Sequence, residues 1–217
     1  MKRQTKLFFG IAICALLAFV IWTVLVCMVD IQAIGPNDSK VGFAGLNGAF
    51  HQWTGVHMWL YDITDLLSIL PLLCVACFGL LGLVQLIQRK SLVKVDYNIL
   101  VLGGFYVATL AAFLLFEVFA LNYRPILIEG ELEASYPSST TMLAMCVMPT
   151  AILQLHQRIK NCPLRICVNT LIAAFTAFMV IGRLISGVHW LTDIIGGALL
   201  SIGLVMLYCG FCNLERK

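Results

Sequence analysis

Residues 7 to 29 read LFFGIAICALLAFVIWTVLVCMV, a stretch of 23 residues without a charged side chain. A hydrocarbon core about 30 Å thick needs roughly 20 such residues in a helix. The run follows Met1-Lys2-Arg3-Gln4-Thr5-Lys6, the basic start of a signal peptide. It is longer than a typical signal-peptide core and no A-x-A site follows, so it is expected to stay as a first span. Five further segments qualify: 66–87, 98–120, 140–157, 166–185 and 191–212. Of these, 140–157 is the most polar, carrying Thr140, Thr141 and Pro149. Backbone groups in lipid must find partners within their own segment, which makes these helices. Nothing in the chain has the alternating ten-residue segments of a membrane barrel.

The composition agrees. Of the 217 residues, 61% are hydrophobic and 12% charged, where soluble domains run at about half and about a quarter. No repeat, linker or low-complexity tract divides the chain. The expected architecture is all-α, a single membrane-embedded domain over 1–217 with six transmembrane helices.

Charge sets the expected orientation. With the N-terminus inside, Lys2, Arg3, Lys6, Arg89, Lys90, Lys94, Arg158, Lys160, Arg165, Arg216 and Lys217 fall on the inner side, eleven of the fourteen basic residues. Lys40, Arg124 and Arg183 remain outside. The positive-inside rule then places both termini in the cytoplasm. The outer segment 31–65 carries Phe43, Phe50, Trp53, Trp59 and Tyr61 with His51, His57, Asp62 and Asp65. Such aromatics mark a membrane interface, and a short surface helix near 46–61 or a plain interfacial loop would suit them. The nine cysteines sit mostly in apolar runs. They read as small buried hydrophobes rather than a disulfide framework or a zinc site. No metal, cofactor or nucleic-acid partner is expected.

Two of the three outer basic residues stand at the hydrocarbon boundary. Arg124 opens Arg124-Pro125 just past the third span, and Arg183 lies near the outer end of the fifth. Charges so placed are functional or paired by default, and a guanidinium grips phosphate oxygens in a fixed fork. His189 and Asp193, four apart, share a face if the last helix begins near His189. A carboxylate on one ring nitrogen fixes the tautomer and frees the other nitrogen to act. Ser186-Gly187 offers the turn that would bring Arg183 toward His189. Tyr136-Pro137-Ser138-Ser139-Thr140-Thr141 precedes the fourth span, and a helix start of this kind cradles anions. Each feature also has a plainer reading: snorkelling arginines, a capping His–Asp pair, or an ordinary N-cap cluster. Their predicted meeting on one face favours a site.

These residues resemble the type 2 phosphatidic acid phosphatase (lipid phosphate phosphatase, vanadium haloperoxidase-like) superfamily, whose pattern is K-x6-R-P, then P-S-G-H, then S-R-x5-H-x3-D. Arg124-Pro125 matches the end of the first motif, Pro137-Ser138 the start of the second, and Arg183-x5-His189-x3-Asp193 the third, with Gly182 in place of its leading serine. The resemblance implies that His189 attacks phosphorus to give a phosphohistidine, oriented by Asp193. It implies that Arg124, Arg183 and the Ser138, Ser139 and Thr140 segment hold the phosphate, without a metal. Glu117 stands where the first motif has lysine, and Thr140 where the second has histidine, the family's general acid.

Three consequences follow from the missing histidine. The substrate can do without an acid: an alkoxide leaving group has a conjugate-acid pKa of about 15–16, against about 6 for phosphate leaving a diphosphate. That favours a prenyl diphosphate over phosphatidate. Alternatively, Glu117 supplies the proton, with His51, His57 and the Glu129/Glu131/Glu133 run as weaker candidates. Glu117 could equally form an ion pair with Arg124 or Arg183, and the glutamate run reads most simply as a solvated face. In the third case the chain is inactive and only binds or transports lipid phosphates. A phosphotransferase to an acceptor other than water is a further alternative. The expected setting is a multi-pass protein of a plasma membrane, bacterial by its compact chain and family resemblance and the lack of an endoplasmic-reticulum retention tail, with the site on the extracytoplasmic side.

Overall fold

In the computed structural model, which describes residues 3–214, every long apolar run forms a helix. Helix α1 spans Arg3–Met28, followed by a two-residue antiparallel ribbon of β1 (Gln32–Ala33) and β2 (Lys40–Val41). Two short helices come next, α2 (Ala44–Thr54) and α3 (Met58–Leu67), then the long helices α4 (Ile69–Arg89) and α5 (Tyr97–Val118). The chain closes with α6 (Ser139–Arg158), α7 (Cys162–Ile185) and α8 (Leu191–Leu214).

Local chemistry explains the boundaries. α2 stops at Gly55, which takes φ +71°, so the outer aromatic segment forms two helices rather than one. Ser68 separates α3 from α4, its N–H bonding to the carbonyls of Thr64 and Asp65. α7 begins at a capping Asn161, whose side chain accepts from Leu164 N–H at 3.1 Å, with Pro163 in the first turn.

Helices α1 and α8 lie antiparallel along their whole length. Near one end Asn213 donates to Thr5 Oγ1 at 2.9 Å and Phe9 meets Phe211 edge-on at 5.4 Å. At the other end Trp22 Nε1–H donates to the Thr192 carbonyl at 3.1 Å. Between them Gly203 admits Leu16: a Cβ there would come within 2.6 Å of Leu16 Cδ2. The core at the far end is aromatic, with Phe19 stacked on Tyr136 at 6.3 Å and Phe116 edge-on to Phe19 at 5.6 Å.

Among the described residues, five segments are long and apolar enough to cross a membrane: α1, α3 with α4 (Met58–Arg89), α5, α7 and α8. α6 is as long as a span but falls short in hydropathy, so the expected six apolar spans become five plus one polar helix. The reason is its position. α6 packs against α4, α5, α7 and α8 and buries Thr140, Thr141, Thr150 and Gln154 against protein. It nevertheless runs from end to end. Ser138 N–H, at its start, bonds to the Asp193 carbonyl at 3.1 Å, while Gln154 near its finish donates to Tyr208 Oη at 2.5 Å.

Basic residues separate between the two ends of this bundle. Arg3, Lys6, Arg89, Lys90, Lys94, Arg158, Lys160 and Arg165 gather where α1 begins and α8 ends, and Lys40, Arg124 and Arg183 lie at the other end. Lys2, Arg216 and Lys217, which share in the charge argument, lie outside the described residues. The α1–α8 contact yields a direct test. Gly203→Val should lower thermal stability in detergent by about 1–3 kcal/mol, the usual cost of overpacking. Gly10→Ala, where an added Cβ meets nothing within 4 Å, should leave the unfolding temperature unchanged or slightly raised.

Candidate active site

The turn between α7 and α8 carries the histidine. Gly187 takes φ +72°, a conformation that L side chains adopt only with strain, and it ends α7. The turn is held from several sides. His51 Nε2 lies 3.1 Å from the Gly187 carbonyl, His57 N–H donates to the Ser186 carbonyl at 2.9 Å, and Trp190 Nε1–H donates to the Tyr123 carbonyl at 2.7 Å. His51 and His57, weighed from the sequence as proton donors, are thus engaged with backbone; His57 Nε2 sits 2.9 Å from the Thr54 carbonyl.

Asp193 falls in the first turn of α8 and is fully buried. Its Oδ2 accepts from Trp190 N–H at 2.9 Å and stands 3.8 Å from His189 Nδ1, while Asn122 donates to its Oδ1 at 3.4 Å. The capping reading of Asp193 therefore holds, and the same carboxylate is turned toward the imidazole, at an electrostatic rather than a hydrogen-bonding distance. His189 is 3% exposed and neither ring nitrogen has a hydrogen-bond partner among the described residues. Burial pushes its pKa down to about 4, helped by the positive charges of Arg124 and Arg183 and opposed by Asp193. The imidazole is consequently neutral near pH 7, the form that can act as a nucleophile.

Arg183 is 1% exposed, so it does not snorkel. Its Nη2 donates to Asp65 Oδ1 at 2.7 Å, and its guanidinium carbon lies 4.7 Å from the centre of the Tyr61 ring. Arg124 approaches the same ring at 5.9 Å and pairs through Nε with Glu133 Oε2 at 2.9 Å. Two sequence expectations change here. Glu117 pairs with neither arginine, because Asp65 and Glu133 take those places. Glu133 leaves the solvated glutamate run because the loop after α5 folds back, with Arg124 N–H bonding to its carbonyl at 3.0 Å.

Glu117 instead lines a cavity of about 10 Å³ together with His189, Ser139, Phe116 and Tyr136, room for about one water. Ser138 stands at the N-cap position of α6 without a side-chain capping bond and is fully buried, and its Oγ and the Thr141 Oγ1 have no partner among the described residues. Ser139 lines both the small cavity and an apolar groove of about 600 Å³ between α4, α5 and α6. Thr140 lines the groove, beside Asp65, and not the small cavity. Arg124 Nη1, Arg183 Nε and Arg183 Nη1 are further buried donors without partners. Each such donor costs about 1–3 kcal/mol unless something accepts from it.

Sequence reasoning did not assign Asp65, Tyr61 or Asn122 to the site. Tyr61 and Asp65 are four apart on the outer aromatic segment, a spacing that would have placed them on one helical face. Nothing local, however, names Arg183 as their partner.

No curated protein sequence matches the chain. Among solved structures it is similar to the crystal structure of the first transmembrane PAP2 type phosphatidylglycerolphosphate phosphatase from Bacillus subtilis, at a TM-score of 0.65 and 20% identity, covering 95% of this chain and 98% of that one. The likeness at that identity is one of fold. The model of the PAP2 superfamily matches residues 105–214, a segment that carries Arg124, Ser138, Arg183, His189 and Asp193. With half of its length matched and the family's third motif folded into one buried turn, the chain belongs to the PAP2 superfamily.

Proposed function

We propose that this protein is a membrane lipid phosphatase that works through a phosphohistidine on His189, at the extracytoplasmic face. The observation that carries the reading is a neutral, buried imidazole without hydrogen-bond partners among the described residues, within the electrostatic reach of the buried Arg183 and the half-buried Arg124 and close to the start of α6. Asp193 faces Nδ1, which leaves Nε2 as the attacking nitrogen. As the Nε2–P bond forms, the bond from phosphorus to the leaving oxygen breaks, and Asp193 steadies the positive charge that appears on the ring. Arg124, Arg183 and the Ser138, Ser139 and Thr140 segment offset the charge on the equatorial oxygens. Water then cleaves the N–P bond, releasing phosphate and restoring the imidazole. The groups assigned here to the phosphate oxygens, Arg124, Arg183 and the Ser138, Ser139 and Thr140 segment, are cationic or neutral donors that suit an anion, so chelators should leave turnover unchanged.

The substrate is a lipid phosphate or diphosphate, reached from the groove between α4, α5 and α6. A prenyl diphosphate is favoured because Thr140 cannot protonate a leaving alkoxide near neutral pH, whereas a leaving phosphate needs little help. Glu117 is the candidate proton donor for other substrates, since it shares the small cavity with His189.

Phosphate release by purified protein tests the proposal. His189→Ala should lower kcat by at least about 10⁴-fold, and Arg183→Ala by about 10²–10³-fold. Wild type should act faster on a prenyl diphosphate than on phosphatidate; equal rates would transfer the acid role to Glu117. A protein that binds both lipids, releases phosphate from neither and binds unchanged as His189→Ala would be a carrier instead. The pH profile offers an independent check. The nucleophile is the deprotonated ring, and burial lowers its pKa, so kcat/KM should hold as pH falls through 6.5. It should decline only on approach to about 4. An acid limb near 6.5 would mean that His189 is not the nucleophile or not buried in the working enzyme.

A further inference from the structure

Helix α3 lies outside the family-matched segment, yet it supplies what Arg183 touches. Tyr61 and Asp65, one helical turn apart, present a ring and a carboxylate to the guanidinium, at 4.7 Å and 2.7 Å. The neighbouring residues explain how α3 comes so close. A Cβ on Gly182 would lie 2.7 Å from Thr64 Cγ2 and 3.6 Å from Leu60 Cδ1. Thr64 cannot turn its methyl aside cheaply, because it is fully buried and its hydroxyl donates to the carbonyls of Leu60 and Tyr61 at 2.8 and 3.0 Å. The contact pairs are adjacent in sequence: Gly182 meets Thr64, and Arg183 meets Asp65.

We propose that α3 is part of the phosphate site: Asp65 is a positioning residue that aims Arg183, and Gly182 is the clearance that lets it do so. This rests on reading Arg183 as a phosphate ligand. The departure from the family's leading serine then has a cause, since any side chain at 182 would push Thr64 away and carry Asp65 off the guanidinium. Asp65 holds only Nη2, leaving Nε and Nη1 as buried donors for a ligand. Its own side chain is 60% exposed, so water screens the pair and it contributes little to stability. The value of the contact is orientation of a long side chain whose geometry the reaction needs.

Orthovanadate, a mimic of the phosphoryl transition state, reads this without requiring turnover. Its affinity would be measured by calorimetry on purified full-length protein in detergent, with thermal unfolding as the folding control. Asp65→Ala should raise the Kd by about tenfold or more, and Asp65→Glu should recover most of that loss. Gly182→Ser should weaken binding to a similar extent, and adding Thr64→Ala, which removes the obstructing methyl, should restore it. Unchanged or tighter binding in a folded Asp65→Ala protein would overturn the proposal, because the carboxylate would then be a bystander or a competitor of the anion. If Asp65→Ala does not fold, Gly182→Ser with and without Thr64→Ala decides the matter by the same rule. Failure of the underlying reading looks different: Arg183→Ala would then bind vanadate as wild type does, or wild type would not bind it at all.

Discussion

A permanent charge with almost no exposed surface must find its partners inside the protein, and Arg183 organises one end of this bundle for that reason. A guanidinium at the hydrocarbon boundary is costly unless paired. Here it receives a carboxylate and an aromatic ring from α3 and keeps two donors free. Arg124 repeats the arrangement, resting at a longer distance against the same ring with Glu133 as its ion-pair partner. The two cations in turn help to keep His189 neutral. The pairing of the two cations and the neutrality of His189 are therefore one electrostatic problem, solved by burial on one side and charge on the other.

The scaffold divides its work between its ends. Away from the site, α1 and α8 are held by a hydrogen bond and an edge-on aromatic pair, beside the buried Gln154–Tyr208 contact. Toward the site, His51 and His57 hydrogen-bond to the backbone of the turn at 186–190, and the turn's Trp190 donates to the Tyr123 carbonyl in the loop before α6. α6 joins the two ends. Its polarity, a weakness if it faced lipid, becomes usable once four helices surround it, and its first turn then brings Ser139 to the small cavity that His189 lines.

A large share of this was legible in the chain. Apolar runs announce spans because lipid penalises any other backbone state, and α1, α4, α5, α7 and α8 appear within a few residues of their expected places. The Arg183, His189 and Asp193 spacing was equally readable, since a turn at Ser186-Gly187 and an i, i+4 pair are local geometry. The polar 140–157 segment was visible as an exception, but not the reason for it. Hydropathy describes the segment and is silent about the neighbours that shield it.

By itself, the sequence determined which segments become helices and which residue types meet at the turn between the last two, because both follow from contacts within a few residues. Only the tertiary structure decided how the charges pair. Asp65 and Arg183 are 118 positions apart, Glu133 takes the place expected of Glu117, and Gly182 matters through Thr64 on another helix. Such pairings depend on how closely two helices approach, and that distance is set by side chains packed between them rather than by any pattern along one of them.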